Sequence, residues 1–417
     1  MSPKLNARLE QAFFSLLLLA LGSLAFGIAP LSNLSLMSLA LIGLLIITKK
    51  EWSDSLKDPV SLSFWLFFFV YLFSISYSCN SESAWRDIET KMSFLIAAPI
   101  LRAYQGRLKQ AQLRKALKAF ILGTAASLIF LLLYASFRSL EASSFSYPSP
   151  GGTYELYFFL YESFSEAVMH PGYISLYIGI AFIGSLFLAN ESYWPKKLVL
   201  LLLALFTLGL LLLQGRMTII ALALSLGIWI LVRLIKGGNW RSFALFSSIA
   251  LIAILGASQL APKSLSERYL AFPDFSYDIS GDAFNSATYR LAEWKCAWDG
   301  IKDAPVLGYG AGCGQDELFR RYEKFEFWQG LERQYNAHNQ YLETWLSTGI
   351  IGLIALLLML FAIAYLSAKE GNYFLLYALL FFSLCLSTES MLERAWAVVL
   401  FNLIFPLFVN LRPRSQA

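Results

Sequence analysis

Long uncharged apolar runs, separated by short polar connections, recur along almost the whole chain. An α-helix needs about 20 mostly apolar residues to cross the hydrocarbon core of a bilayer. We therefore predict an all-α polytopic membrane protein with about 12 transmembrane helices. The predicted spans are residues 11–28, 33–49, 60–78, 90–104, 115–137, 171–190, 196–214, 217–235, 242–260, 339–366, 372–388 and 395–411.

Basic residues fall mainly in one set of connections, and this bias predicts the orientation. Basic residues close to membrane spans favour the cytoplasmic side. With 12 spans, 19 basic residues lie on the side of the two termini, against five in the short connections of the other side. The five are Arg86, Lys91, Arg138, Arg216 and Arg394. Both termini are therefore predicted to be cytoplasmic. The first apolar run is predicted to be a retained helix and not a signal peptide, because no clear small-x-small cleavage site follows it.

Composition supports the same class. Hydrophobic residues make up 57% of the 417 residues and charged residues 15%, and the mean hydropathy is +0.57. The net charge of +5 is explained by membrane orientation, so we expect membrane lipids and not nucleic acid as partners.

The predicted topology divides the chain into three parts. Residues 1–260 hold helices 1–9, with an acidic, aromatic-rich outer loop at 138–170; residues 261–338 form a large outer loop; residues 339–417 hold helices 10–12 and a cytoplasmic tail. The large loop has nine Lys/Arg and twelve Asp/Glu, a mixture typical of a folded segment. Within it, residues 285–303 are predicted to form an amphipathic helix along the bilayer surface. Its apolar stripe is Leu291, Trp294, Trp298 and Ile301.

The four cysteines do not have the spacing of a metal site. Cys385 lies in a span, whereas Cys79, Cys296 and Cys313 lie in outer polar segments. A Cys296–Cys313 disulfide is one option that the sequence leaves open. The outer loops also contain no Asp-x-Asp and no Gly-rich P-loop, so we expect no metal and no cofactor.

Two arginines lie at the outer interface. Arg216 stands between two spans with almost no loop, where a charge is costly unless it is paired or faces a polar cavity. It either extends to the lipid headgroups or binds an anion at the start of the next helix. Arg290, on the amphipathic helix, either pairs with Glu293 at i, i+3 or joins Arg216 in a diphosphate clamp, because guanidinium suits bidentate phosphate binding.

His338 is one of two histidines in the chain and precedes the span that begins near Asn339. Histidine can exchange a proton near neutral pH. The alternative is a structural histidine that caps the helix. Glu343 lies too far along that helix to be the obvious carboxylate that orients the ring.

These residues occur in motifs that resemble the O-antigen ligase/polymerase superfamily. The motifs are LQGR at 213–216, YR at 289–290 with Trp294, APVLGYG at 304–310, HNQYLE at 338–343 and TGIIG at 348–352. Their order, intervals and large outer loop match over residues 170–400. Looser similarities are His170 before Pro171, and Glu389 and Arg394 at the last outer turn; Asn339 and Lys91 are further candidates of lower rank.

The resemblance implies a GT-C-like, metal-independent, inverting glycosyltransferase in the Gram-negative inner membrane, with its active site facing the periplasm. The donor would be a glycan on undecaprenyl diphosphate, and the acceptor would be the lipid A-core oligosaccharide. Arg216 and Arg290 would bind the diphosphate, and His338 would assist the acceptor hydroxyl or contact the phosphate.

Two alternatives stay open. A polymerase of O-antigen or exopolysaccharide would use the same donor with another acceptor. A transporter of lipid-linked sugars would also have many spans, but it would be expected to have charges within the membrane or spans interrupted by Gly or Pro in corresponding halves.

Overall fold

The computed structural model describes residues 2–148, 155–191, 193–235 and 286–413, which are mostly helical. The helices are α1 (Pro3–Ser23), α2 (Ala29–Ile46), α3 (Lys49–Ser55), α4 (Pro59–Ser74), α5 (Ser81–Tyr104), α6 (Gln110–Glu141), α7 (Tyr161–Ser165), α8 (Pro171–Asn190), α9 (Lys196–Leu212), α10 (Arg216–Ile235), α11 (Ser286–Asp303), α12 (Cys313–Lys324), α13 (Trp328–Glu332), α14 (Gln340–Lys369), α15 (Tyr373–Leu386) and α16 (Ala395–Phe408). A short 3-10 turn, Met391–Glu393, precedes α16.

Six helical segments of the described chain are long and apolar enough to cross a membrane. They are Pro3–Phe26, Pro59–Tyr77, Gln110–Glu141, Pro171–Asn190, Arg216–Ile235 and Gln340–Lys369. Three shorter apolar helices, Leu34–Ile46, Tyr373–Leu386 and Ala395–Phe408, accompany them. Eleven of the twelve predicted spans thus fall on helices, while 242–260 lies outside the described residues. The protein is a membrane protein; the number of spans and their orientation stay predictions.

Local capping determines where several helices begin. Asp58 accepts hydrogen bonds from the backbone N–H groups of Val60 and Ser61, and Pro59 occupies the first turn of α4. The Asn372 side chain accepts from Leu375 N at the start of α15. Such caps satisfy backbone donors that a helix leaves without partners at its first turn.

The core is built from close helix packing. α4 packs on α14, and α5 packs on α16. Aromatic rings of Phe64, Phe94 and Phe401 fill the space between α4, α5 and α16. Gly123 of α6 lies so close to α1 that a Cβ would overlap the carbonyl of Gly22. Small residues at such crossings allow helices to associate in lipid, where water does not drive them together.

The outer loop predicted at 138–170 differs from the all-α expectation. α6 extends to Glu141, and a two-stranded antiparallel hairpin follows, with Ser146–Pro148 (β1) paired to Glu155–Tyr157 (β2). Strands of three residues are too short to show an alternating pattern in the sequence.

Helix α14 is interrupted at Gly349, whereas the sequence predicted one continuous span at 339–366. Gly349 has φ +69° and ψ −170°, a conformation that favours glycine. At this break the backbone N–H of Ile350 donates to Pro305 O at 2.9 Å. Tyr309 N likewise donates to Leu346 O at 3.0 Å. The turn that follows α11 is thereby joined to the membrane helix.

A disulfide joins Cys79 to Cys313, with 5.8 Å between the Cα atoms. The expected option of a Cys296–Cys313 pair is therefore wrong. Cys296 is a buried free thiol, because it lies on the face of α11 that packs on α12. The actual pair is 234 residues apart in sequence, so local spacing could not reveal it.

α11 is confirmed as a helix, but its predicted apolar stripe is only partly buried. The buried face consists of Ala292, Glu293, Cys296, Ala297 and Ile301. Trp298 is 47% exposed and contacts the Trp345 ring edge to face. Contact with the bilayer surface stays a prediction for this exposed tryptophan.

We expect Gly349→Ala to lower the stability of the purified protein. A Cβ at this residue would overlap the carbonyl of Val306, and a non-glycine residue in this backbone conformation costs about 1–3 kcal/mol on its own. Thermal unfolding in detergent measures the effect. Gly227→Ala in α10 is the control, since nothing lies within 4 Å of its added Cβ. Equal melting temperatures for the two variants would contradict the account.

Candidate active site

Four charged or titratable side chains meet at one end of the helix bundle. His338 Nδ1 lies 2.9 Å from Glu293 Oε2, and His338 Nε2 lies 3.7 Å from Glu389 Oε1. Arg290 Nη2 lies 3.7 Å from the other oxygen of Glu389. The four residues come from α11, from the turn before α14 and from the connection between α15 and α16.

The turn that carries His338 is held in a strained backbone conformation. His338 has φ +40°, which is unfavourable for a residue with a side chain. Its N–H donates to Asn336 Oδ1 at 2.9 Å, and the preceding Ala337 N–H donates to Glu343 Oε2 at 2.9 Å. Asn339 is the N-cap of α14 and accepts from Tyr341 N and Leu342 N. His338 therefore does not cap the helix, because Asn339 does.

Glu293 orients the imidazole of His338. Its side chain is 1% exposed, and a carboxylate can only accept a hydrogen bond. Nδ1 of His338 therefore carries the proton of this hydrogen bond, and Nε2 is directed towards Glu389. The ring itself is 23% exposed, so it is accessible from the outside of the bundle.

Two opposing influences act on the pKa of His338. Burial lowers it, but the hydrogen bond that the ring donates to Glu293 and the negative charges of Glu389 and Glu293 outweigh burial. The positive charge of Arg290 lowers the pKa, and its effect is the smallest of these. The pKa of His338 is raised above its usual value, so the imidazolium form is favoured.

Arg290 is directed at the connection after α15. Its Nε donates to Thr388 O at 3.0 Å, and its guanidinium faces Glu389. An i, i+3 pair with Glu293 does not form, because Glu293 faces His338 on the buried side of α11. About a quarter of the Arg290 side chain is exposed (26%), which leaves part of the guanidinium accessible to an anion.

Arg216 is the first residue of α10 and lies at the same end of the bundle. Helix α10 packs on α15, and Thr218 in the first turn of α10 is close enough to Cys385, near the end of α15, to affect its thiol. Gly215 allows the close approach of α8, since a Cβ there would lie 2.8 Å from Ser175 Oγ. The start of α10 therefore adjoins the segment that accepts the hydrogen bond from Arg290.

The lower-ranked candidates have different surroundings. His170 caps α8 by accepting from Gly172 N at 3.3 Å, and its exposed ring is 3.6 Å from Glu162. Arg394 is the residue that precedes α16, and its positive charge acts on Tyr173. Glu389 lies between Arg290 and His338, as given above. Lys91 is fully buried and pairs with Glu393, so it does not line the surface.

Sequence reasoning missed Glu293 as the partner of His338. The signal was present: Ala292, Cys296 and Ala297 are small residues that surround Glu293 on one face of α11. Small residues on a helix face indicate close packing, and a carboxylate among them requires a partner. Glu343 does not contact the ring, in agreement with the sequence reasoning; it holds the backbone beside it.

Among the described residues, one group has ligand types close enough for a metal ion. Its members are Cys79, Cys313 and Asp316. The two sulfur atoms are joined in the disulfide, and thiolates are the form that binds metals. This group therefore does not fit a metal ion.

Comparisons with known proteins find similarity in the segment that contains these residues. Residues 199–357, which include Arg216, Arg290, Glu293 and His338, match the family model described as O-antigen ligase. This segment of the chain is therefore similar to the O-antigen ligase family. An uncharacterized protein of Haemophilus influenzae is 33% identical over 129 residues, which are 30% of this chain and 32% of that protein. A protein of Rickettsia felis described as "Putative polysaccharide ligase" is 32% identical over 148 residues, 34% of this chain and 33% of that protein. The chain thus matches about a third of the length of these curated relatives.

We expect the contribution of His338 to stability to depend on pH. Its pKa in the folded protein is raised above the value of about 6.5 in an unfolded chain. The stabilisation is therefore fully present below about pH 6.5 and is lost as the pH rises through the folded pKa. Melting temperatures of the wild type and His338→Gln should differ more at pH 6 than at pH 9. The same substitution at the exposed His170 serves as the reference, and a difference that grows with pH would contradict the raised pKa.

Proposed function

We propose that the protein transfers an O-antigen glycan from undecaprenyl diphosphate to the lipid A-core oligosaccharide by metal-independent, inverting glycosyl transfer. The match of residues 199–357 to the O-antigen ligase family model supports a ligase or polymerase type of activity. The observation that carries the proposal is the convergence of Arg290, Glu389 and His338 on one accessible surface, with buried Glu293 behind the ring.

The donor diphosphate would be bound by Arg216 and Arg290. Arginine suits this role because its planar donors bind phosphate oxygens bidentately. The diphosphate leaves with the negative charge, and cations placed to meet that charge lower the barrier. The two arginines would supply this stabilisation at headgroup level, with the lipid tail among the helices.

His338 would act as a third cationic contact to the phosphate. This role follows from the two carboxylates that favour its imidazolium form. Glu389 faces both His338 and Arg290. A bound diphosphate would compete for these cations, and the released Glu389 carboxylate would accept the proton of the acceptor hydroxyl. Bond formation to the sugar then displaces the diphosphate from the opposite side.

A periplasmic site at the Gram-negative inner membrane is part of the proposal. The distribution of basic residues supports it, since this end of the bundle is the end poor in Lys and Arg. The Cys79–Cys313 disulfide is also typical of an oxidising compartment. The described part of the large loop, 286–338, would form the outer wall of the site, and the helices on either side of it would hold the lipid-linked substrates.

The alternative within the superfamily is a polymerase, which would bind the donor diphosphate in the same way and use a carrier-linked acceptor. A transporter is less well supported, because Arg216, Arg290 and His338 gather at one end of the bundle. Analysis of the product therefore distinguishes the two acceptors.

The decisive experiment supplies purified protein in detergent with carrier-linked glycan and two acceptors, lipid A-core and a second carrier-linked repeat. Glycan attached to lipid A-core is the expected product. Extension of the carrier-linked repeat would establish the polymerase instead, and no transfer to either acceptor would contradict both.

In the same assay, Arg216→Ala and Arg290→Ala should each lower the rate about 100-fold or more, as when a preorganised donor is removed from developing charge. Lysine at either residue should restore part of the rate, because the charge returns without the bidentate fork. Arg86→Ala is the matched control, since this arginine is exposed on α5 and pairs with Glu82. Full activity of both alanine variants would refute the clamp.

A further inference from the structure

Lys91 is a fully buried cation that the proposed reaction does not use. Its Nζ lies 2.6 Å from Glu393 Oε2, and its side chain is 0% exposed. The ammonium also stands 4.4 Å from the centroid of the Tyr71 ring. Asp87 of α5 and Glu343 of α14 act on it electrostatically as well. A buried ammonium surrounded by carboxylates is costly to disrupt on one side alone.

From Glu393 a chain of hydrogen bonds leads to the start of α14. Glu393 Oε1 accepts from Gln340 Nε2 at 2.8 Å, and Gln340 Oε1 accepts from Leu392 N at 2.6 Å. Gln340 follows His338 by two residues, and Glu393 follows Glu389 by four. Both segments of the proposed site are therefore joined through the residue that Lys91 neutralises.

A second set of hydrogen bonds joins the same two segments. Glu343 Oε2 accepts from Ala337 N at 2.9 Å and from Ser390 Oγ at 3.4 Å. Ser390 Oγ in turn accepts from Asn339 N at 3.3 Å. The residues on either side of His338 and the residue after Glu389 are thereby held together beneath the surface.

We propose that Lys91 is a positioning residue that sets the distance between Glu389 and His338 by neutralising Glu393. Without the ammonium, Glu393 would be an uncompensated carboxylate near Asp87 and Glu343. Repulsion and desolvation would displace the 389–393 segment, and Arg290 would lose the partner geometry that this segment provides. The proposal rests on the function proposed above, but its structural part does not require transfer to be measured.

The test compares Lys91→Met with the double variant Lys91→Met/Glu393→Gln in the full-length purified protein. Lys91→Met removes the cation and should lower transfer about 100-fold, as small misplacements of reacting groups do. The double variant removes both charges and keeps an amide that can bond to Gln340, so it should recover most of the rate. Melting temperatures show whether each variant is folded.

Two further measurements separate positioning from a merely structural role. In a Glu389→Gln background, Lys91→Met should cost little further activity, because it acts through the segment that carries Glu389.

Ring NMR signals of the two histidines report the geometry directly: Lys91→Met should shift the His338 signals and leave those of His170. This spectrum remains informative if the wild type shows no transfer, so failure of the proposed function is distinguishable. The proposal would be overturned by full activity of Lys91→Met or by a double variant that is folded but inactive. It would also be overturned if the losses of activity from Lys91→Met and Glu389→Gln were additive, or if Lys91→Met left the His338 signals unshifted.

Discussion

The hydrogen bond between buried Glu293 and His338 is the interaction on which the candidate site depends. A carboxylate that is 1% exposed is stable in such surroundings only when a donor satisfies it. His338 supplies that donor, and the bond joins the loop helix α11 to the start of membrane helix α14. The same bond directs Nε2 towards Glu389 and favours the charged ring. Packing and chemistry are therefore coupled through one contact.

The other connections between the loop and the bundle support this contact from both sides. The break at Gly349 lets the turn after α11 bond to α14, which fixes the C-terminal end of α11. The Cys79–Cys313 disulfide fixes the start of α12 to the α4–α5 connection. Beneath the surface, Glu343 and the Lys91–Glu393 pair hold the two segments that bear His338 and Glu389. The accessible cluster thus stands on a buried polar layer, and polar layers of this kind tolerate little loss of a single member.

The sequence predicted the features that depend on local pattern. Apolar runs located eleven helices of the described chain, and the spacing of 285–303 located α11. Arg290 and His338 were chosen as candidates because charged or titratable residues close to the membrane on the outer side are few. The features that were missed depend on contacts between distant residues: Glu293 with His338, Cys79 with Cys313, and Lys91 with Glu393. No periodicity records such pairs, since each forms only when the two distant segments that carry its members pack together. The break at Gly349 was missed because the flanking residues are as apolar as those of an uninterrupted span.

Titration of the His338 imidazole by NMR in the purified protein tests the central role of the Glu293 contact most directly. The chain has two histidines, so His170→Gln assigns the spectrum. We predict that His338 titrates above the usual value of about 6.5 and that Glu293→Gln lowers its pKa, since the hydrogen bond and charge of Glu293 are removed. A His338 that titrates at or below the usual value, or that does not respond to Glu293→Gln, would contradict the central role of this contact.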